Sequence, residues 1–548
     1  MKKVFVNQVG FLCNAPKKAV LNFQANEFSV VDENGEKAFD GKVEHFGTDE
    51  ISGENTYVAD FSALTEEGKY KIVADGQESV LFKIADNAYD KLLKDICKCF
   101  YYLRCGDALS KEFAGEYYHK PCHMTKATVY GEDVEPVDVT GGWHDAGDYG
   151  RYSTAGAVAA AHLLYGVRFF KGLLDVHYDI PKVAGDKGNL PEILAEVQVE
   201  LDFLMKMQRE NGSVWHKVTT FNHAPFLMPE DDKEELFLFS VSSIATADIA
   251  AVFALAYTVY KDYDAEYADR LMQKSLLAYK WLLDNPDELL FFNPEGSNTG
   301  QYDEAEDISN RFWAACALYE ATSDGKYYSD ALELKNRLEV FDENAKKKGY
   351  QGNVFTCLGW AEVAGLGSLS LLLKKEDNAL SALARNSFIS EADRLVKVAK
   401  ENGFGLCMGA KDFIWGSNME LLKYMMVLST AIRIDNKPEY KTALEFGLDY
   451  ILGCNSMDIS YVTGNGEKAF KNPHLRPTAV DDIEEPWPGL VSGGPNVGLQ
   501  DERAQSLRGQ GLPPMKCYID HIDCYSLNEI TIYWNSPLVF ALSSLLEK

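Results

Sequence analysis

Two aspartates, Asp145 and Asp148, stand three positions apart in the stretch Gly-Gly-Trp-His-Asp-Ala-Gly-Asp-Tyr-Gly-Arg-Tyr at 141–152. Trp143 and Tyr149 flank them, and His144 immediately precedes the first. Glycines at 141, 142, 147 and 150 argue against a regular helix, where each costs roughly 1 kcal/mol. The expected structure is a tight irregular loop that aims short carboxylates and flat aromatic rings into one space. That is what a sugar site needs: ring faces stack on C–H surfaces while carboxyls move protons. The plainer reading is an Asp/Gly turn, and Trp143 is the residue that weighs against it.

A second acid, Glu529, lies near the other end of the chain in Tyr-Ser-Leu-Asn-Glu-Ile-Thr-Ile-Tyr-Trp-Asn, 525–535. It is expected to open the last helix, one turn before Trp534. A helix N-terminus favours the carboxylate by roughly 0.3–1 kcal/mol, whereas a general acid needs its pKa raised by burial. Seen alone, Glu529 is an ordinary acidic helix-start residue. Between the two acids, Asn-Pro-His-Leu-Arg-Pro at 472–477 offers His474 and Arg476 in a Pro-bracketed loop. These can hold sugar hydroxyls by charge-assisted hydrogen bonds, or simply form a loop ion pair. Trp215, Trp313 and Trp415 are further aromatics near polar residues; Trp313 fits a core position equally well, and Trp415 reads as a platform.

Cys105, Cys122, His123 and His144 offer two thiolates and two imidazoles, the donor set of a tetrahedral structural zinc. Their spacing has no CxxC pair, so buried free thiols are the alternative. A zinc here would pin the Asp145–Asp148 loop to the end of the first helix. A closed four-ligand shell leaves no position for a reactive water, which disfavours a zinc hydrolase. Walker A, GxSxG and HExxH motifs do not occur, and GLGS near 365 does not follow a strand.

The elements that must position these groups fall into two classes. Residues 1–86 carry short β-rich runs separated by turn signals, with Asn34-Gly35 a strong hairpin signal; an immunoglobulin-like sandwich is expected. From 87 to 548, helical periodicity dominates. About twelve helices are expected, near 88–104, 151–171, 190–209, 243–260, 264–284, 307–323, 325–346, 355–373, 379–402, 417–434, 437–452 and 529–546. Segments 157–164 and 244–256 are almost wholly apolar and should be inner helices. Long irregular connections at 105–150, 210–240, 285–305 and 454–528 are the expected bearers of function. The pattern fits a closed ring of helix pairs with the site built from loops at one end.

The 548 residues are 46% hydrophobic and 12% aromatic, enough for a large core and an aromatic-lined cleft. A formal charge of −29 disfavours a nucleic-acid partner. No apolar run approaches the roughly 20 residues of a membrane span. Asn7, Gln8 and Gly10 interrupt the N-terminus, so no secretory signal is read, and the eleven scattered cysteines fit a reducing, cytoplasmic setting.

Together, GGWHDAGDYGRY, NPHLRP, PWPGLVSGGPN and NEITIYWNSPLV resemble glycoside hydrolase family 9. VFVNQVGF resembles the immunoglobulin-like module that precedes the catalytic domain in one branch of that family. The likeness runs over nearly the whole chain, in the expected order. It implies an (α/α)6 barrel that hydrolyses β-1,4-glucosidic bonds with inversion. It implies Asp148 as base, Asp145 as its partner on the attacking water and Glu529 as general acid. His474 and Arg476 match substrate-binding positions, Trp534 an aromatic beside the acid, and Cys105, Cys122, His123 and His144 a structural zinc site; Trp143 and the other tryptophans are added as candidate platforms. Calcium is a further implied metal, with Asp303, Glu304, Glu306 and Asp307 as the acidic cluster. One departure is Leu475, where the family commonly has a second histidine; it puts the neighbouring subsite in question. With no cellulose-binding module or dockerin read after the barrel, the chain looks most like the cellodextrinases of the family, acting on soluble cellooligosaccharides. The rivals are an exo-acting glucosaminidase or glucosidase of the same family, and a non-catalytic oligosaccharide-binding protein, which would have no use for both Asp148 and Glu529.

Overall fold

Alternation and turn chemistry build the first strands. A computed structural model describes residues 2–183, 185–186, 188–348 and 351–547. The chain divides into two compact units, Met1–Cys99 with Ala392–Ile530, and Phe100–Glu391 with Thr531–Lys548.

In the first unit, hydrogen-bonded neighbours follow the order Val4–Phe5, Lys18–Leu21, Asn55–Asp60, Lys37–Thr48, Glu27–Asp32, Gly68–Ala74, Phe82–Ile84, Gly10–Phe11. The long strand Lys37–Thr48 pairs with Glu27–Val31 through its first half and with Asn55–Ala59 through its second, with register shifts on both sides. One strand thereby serves two sheets, and Phe11, Leu21, Val30, Phe61, Ile72 and Phe82 belong to the core they enclose. Phe11 meets Phe61 and Phe82 edge-on at 5.2 and 5.3 Å. At the hairpin, Gly35 adopts φ 83°, and the Asp32 carboxylate accepts from the amides of Asn34 and Glu36 at 2.9 and 2.8 Å. The same unit contains the antiparallel helices Ser417–Ile434 and Pro438–Ile451. Polar contacts tie the strands to the helical part: Asn7 Nδ2 donates to Asp449 Oδ1 at 2.9 Å, and Lys18 Nζ donates to Gly403 O at 3.2 Å while lying 3.8 Å over the Phe446 ring.

In the second unit, Ser153–Phe169, Ser243–Tyr260, Ile308–Thr322 and Ile532–Leu546 are buried along most of their length. Ala265–Asp284 and Gly325–Lys347 bury only a stripe, the mark of helices with one face to water. Consecutive inner helices are neighbours, from Ile532–Leu546 to Ser153–Phe169, Ser243–Tyr260, Ile308–Thr322 and Ala364–Lys374. Ser243–Tyr260 is long and apolar enough to cross a bilayer by length and composition, contrary to the sequence expectation, but 94% of it is buried inside the protein. The connections at 105–150 and 210–240 are more regular than expected. They contribute the strands Thr128–Val129, Lys217–Thr220 and Leu236–Leu238, which with Arg151–Tyr152 form one four-stranded sheet. Strands this short carry too little alternation to be read, and all of Lys217–Thr220 is buried.

Candidate active site

The loop 141–152 is held from beneath by one helix. Glu196 and Glu200, one turn apart on Glu192–Lys206, both reach Trp143: Glu200 Oε2 accepts from its amide at 2.7 Å and Glu196 Oε1 from its indole N–H at 2.9 Å. Arg104 donates to both Glu196 oxygens, its shortest bond 2.7 Å. Cys105 N donates to Gly142 O and His144 N to Leu103 O, each at 2.7 Å. Gly142, at φ 78°, has no room for a Cβ, which would lie 2.6 Å from the Phe203 ring. Burial pushes the Glu200 carboxyl up to about 8, against the donor it holds.

This frame leaves Asp145 and Asp148 buried, each facing a tyrosine. Tyr302 donates to Asp145 Oδ2. Tyr152 donates to Asp148 Oδ2 at 3.0 Å, and Gly150 N reaches the same oxygen at 3.0 Å. Burial first, and then the carboxylate beside each, push both tyrosines well above their ordinary pKa, so both hydroxyls stay protonated donors. His223 Nδ1 stands 3.5 Å from Asp148 Oδ2. Tyr302 has φ 49°, a strained non-glycine backbone, and its ring packs 4.7 Å from Tyr152 and 4.9 Å from Trp360. The last helix adds a tie, because Ile532 N donates to Asp145 O at 2.9 Å. Neither tyrosine is among the sequence candidates. Tyr152 closes the very motif that carries the aspartates, and Tyr302 directly precedes the acidic cluster at 303–307.

Glu529 does not open the last helix. It terminates the short helix Tyr525–Asn528 with φ −60° and ψ 152°, and the last helix begins at Ile532 with Thr531 as its cap. Thr531 outcompetes Glu529 because its side chain accepts from Trp534 N in the usual capping manner. Glu529 lies instead in an extended segment that bridges His474. His474 N donates to Asn528 O, and Gly493 N to Glu529 O, each at 2.9 Å. His474 Nδ1 lies 2.6 Å from Ile522 O, a contact that assigns the ring proton to Nδ1. Tyr525, not singled out beforehand, sets its ring 5.3 Å from Trp415 and 5.9 Å from His474. Trp415 is 41% exposed, as a platform requires. Arg476 starts a short helix and is mostly buried, and Leu475 points into the interior at 1% exposure.

Two tryptophans are corrected. Trp143 and Trp313 are fully buried. Trp143 packs 4.8 Å from Phe100, and the Trp313 indole donates to Tyr165 at 3.1 Å. Neither presents a face to a sugar; both are core residues whose N–H groups are satisfied inside. Trp534 is also largely buried, in the first turn of the last helix, and Trp215 is 7% exposed.

Cys105, Cys122, His123 and His144 are brought together in a buried cluster, with donor atoms within 4.8 Å of one another. His123 Nε2 lies 3.3 Å from Asp232 Oδ2, while its buried Nδ1 has no hydrogen-bond partner. A carboxylate behind one ring nitrogen and an orphaned second nitrogen aimed into a thiol–imidazole cluster is the arrangement of a metal-binding histidine. Of the acidic residues expected at a calcium site, Glu306 accepts from Ile308 N, Asp307 pairs with Arg311 at 2.9 Å, and Asn310 Nδ2 lies between Glu304 and Asp248, while Glu304 Oε2 and Asp248 Oδ2 are buried without a hydrogen-bond partner among the described residues.

Comparison with known proteins gives the family. Residues 89–542 match the glycosyl hydrolase family 9 model, and residues 1–79 match the cellulase N-terminal Ig-like domain. A cellodextrinase of Butyrivibrio fibrisolvens is 93% identical over 547 residues, covering 100% of both chains. A single mutant of the thermostable endoglucanase from Alicyclobacillus acidocaldarius superposes with a TM-score of 0.91 at 34% identity, again over 100% of each chain. A Zn-binding triple mutant of the family 9 endoglucanase J30 superposes with a TM-score of 0.88 at 30% identity, over 98% of this chain and 99% of that one. A loop of paired aspartates, a distant glutamate beside a histidine, and matches spanning both parts of the chain lead to one assignment: the protein belongs to glycosyl hydrolase family 9, behind an Ig-like domain, and is a glycoside hydrolase.

Proposed function

We propose that the enzyme hydrolyses β-1,4-glucosidic bonds of soluble cellooligosaccharides with inversion at the anomeric carbon, on a closed (α/α)6 barrel spanning 87–548. The Butyrivibrio cellodextrinase at 93% identity supports the substrate class. The observation that carries the mechanism is the pair of buried carboxylates, Asp145 and Asp148, each held as an acceptor by a protonated tyrosine. A hydroxyl that donates to a carboxylate favours its charged, proton-accepting form. Asp148 takes a proton from that water as it attacks, and Asp145 orients it. Glu529, protonated, donates to the leaving glycosidic oxygen. His474 and Arg476 bind hydroxyls near the cleaved bond, and Trp415 with Tyr525 supplies an aromatic surface beside His474. Binding energy gathered away from the reacting bond offsets ring distortion.

Inversion requires the acid and base roughly 6.5–9.5 Å apart, to admit the water. NMR of the first product formed from cellotetraose tests this: α-anomer first is the expected result, and β-anomer first overturns the mechanism. Asp148→Ala and Glu529→Ala should each remove most activity from a folded protein.

Zinc is the metal we assign to Cys105, Cys122, His123 and His144. Two sulfurs, two nitrogens and a carboxylate behind His123 suit it. Its contribution would be structural, tying the residues before the catalytic loop to the loop itself. Elemental analysis of protein purified without chelators should give one zinc per chain.

A further inference from the structure

We propose that Lys217 is a positioning residue that fixes and electrostatically supports the base from behind, a role that rests on the reading of Asp148 above. Lys217 pairs with Tyr152 across the sheet and is completely buried. Its Nζ reaches Asn293 Oδ1 at 2.6 Å, Thr299 Oγ1 at 2.9 Å and Gly300 O at 2.7 Å. Asn293 Nδ2 donates to Thr299 O at 2.6 Å, which turns the amide oxygen toward the lysine. The ammonium thus directs its three protons to three oxygens, whereas a neutral amine would aim its lone pair at one of them. The rings of Phe239, Phe291 and Tyr152 lie 4.7, 5.2 and 5.7 Å from the nitrogen.

A buried cation is costly unless a carboxylate is near. Among the described residues no carboxylate lies within ion-pair distance of Lys217. The titratable groups facing it and the base it supports include Asp148, Tyr152, its chain neighbour His216, and His223, whose Nδ1 stands 3.5 Å from Asp148 Oδ2. Burial holds His216 neutral, at about 3, and keeps Tyr152 protonated. Burial lowers Lys217 itself to about 7, and the Asp148 carboxylate is the group that opposes this. The connection is also mechanical. Gly300, gripped through its carbonyl by Lys217, donates its amide to the Tyr152 hydroxyl at 3.1 Å, and that hydroxyl donates to Asp148. A Cβ at position 300 would lie 3.1 Å from the Tyr152 ring, so any side chain there would push against that tyrosine. Lys217 thereby sets the position of the hydroxyl that holds the base and contributes the positive field that keeps the base ionised.

The test is the pH profile of kcat/KM on cellotetraose for Lys217→Gln and Lys217→Arg. Loss of the charge in Lys217→Gln should move the acidic limb upward by roughly 0.5 pH unit or more and lower the plateau. Lys217→Arg, with the charge kept, should lower the plateau while leaving the limb in place. If Lys217→Gln folds, by near-UV circular dichroism, with an unmoved acidic limb, the inference is wrong. Should Lys217→Gln not fold, Thr299→Val removes one acceptor of the ammonium; a smaller upward shift supports the role and an unmoved limb overturns it. Asp148→Asn separates the two readings. If it is active, the assignment of the base fails; if it is inactive while the Lys217→Gln limb stays put, only the role of Lys217 fails.

Discussion

The two acidic segments differ in burial and in what holds the chain around them. At 141–152 the carboxylate side chains themselves are clamped: Tyr302 holds Asp145, Tyr152 and Gly150 hold Asp148, and Glu196, Glu200 and Arg104 brace the loop beneath them. At Glu529 the backbone is held as well, by Gly493, by the bridge to His474 and by the turn from Tyr525, and the residue is half-buried where the two aspartates are buried. The difference matches two jobs. A base works best when one ionised oxygen is held in one place before the reaction begins. An acid has to reach the leaving oxygen, which a half-buried carboxyl on a held backbone permits.

The largest effects should come from the carboxyls themselves, and they can break this comparison outright. Asp148→Asn and Glu529→Gln should each lower kcat on cellotetraose by roughly 10²–10⁴-fold. On an aryl cellobioside with an activated leaving group, protonation of the leaving oxygen is no longer needed. Glu529→Gln should then recover most of its loss, and Asp148→Asn none. Equal recovery in both would show that the two segments do not divide the work as described.

Removing the clamps tests it next. Tyr302→Phe and Tyr152→Phe each delete one hydroxyl bonded to a carboxylate, worth roughly 1.5–3 kcal/mol. In a step that depends on that geometry, the loss is about 10–100-fold in kcat. Tyr525→Phe, near Glu529, keeps the ring that meets Trp415 and removes only a hydroxyl, so kcat should stay within about twofold. A large loss there would mean that Glu529 is also held through its side chain by a tyrosine. Cys122→Ser should act on the loop without touching its carboxyls: bound zinc falls, the melting temperature drops, and kcat falls less than in either tyrosine variant. A protein that keeps its metal and melting temperature would remove zinc from the account.

The sequence made the periodic parts legible. Ser243–Tyr260 and Ser417–Ile434 lie where their spacing predicts, and Asn34-Gly35 makes the predicted hairpin. It also exposed the acids, because Asp, Gly and Trp rarely crowd together without a use. What it hid was direction. Trp143 beside an aspartate reads like a sugar platform, yet its ring packs on Phe100 and its N–H is taken by Glu196. Trp313 has the same fate against Tyr165. Glu529 sits three residues ahead of a helix it seemed to open, because Thr531 is the better cap. Tyr302, Lys217 and His223 come from segments with no periodic pattern; only folding places Tyr302 and His223 against Asp145 and Asp148, and Lys217 across the sheet from Tyr152.

A third kind of carboxyl should give the smallest effect. Glu445 and Asp449 lie in the helix Pro438–Ile451 and are almost completely buried. Neither is clamped by a hydroxyl: Asp449 accepts from Asn7, while Glu445 Oε1 and Asp449 Oδ2 have no hydrogen-bond partner. Burial therefore dominates and raises Glu445 to about 8 and Asp449 to about 7. In the unfolded chain both ionise near pH 4. Between those values the folded state holds protons that the unfolded state has lost, so stability falls as pH rises. That stability is fully present below pH 4 and is gone once the pH passes about 8. Lys18, lowered to about 8 by burial, works the other way above that point, because there the unfolded chain binds the extra proton. The melting temperature should thus decline from pH 5 to pH 8. Glu445→Gln keeps the shape and removes one of the titrations, so it should flatten the decline by roughly 1–2 °C with kcat unchanged. An identical slope in the variant would mean that Glu445 is already ionised in the folded protein at pH 5. Burial without a clamp would then be no less compatible with an ionised carboxyl than the tyrosine-held setting of Asp148.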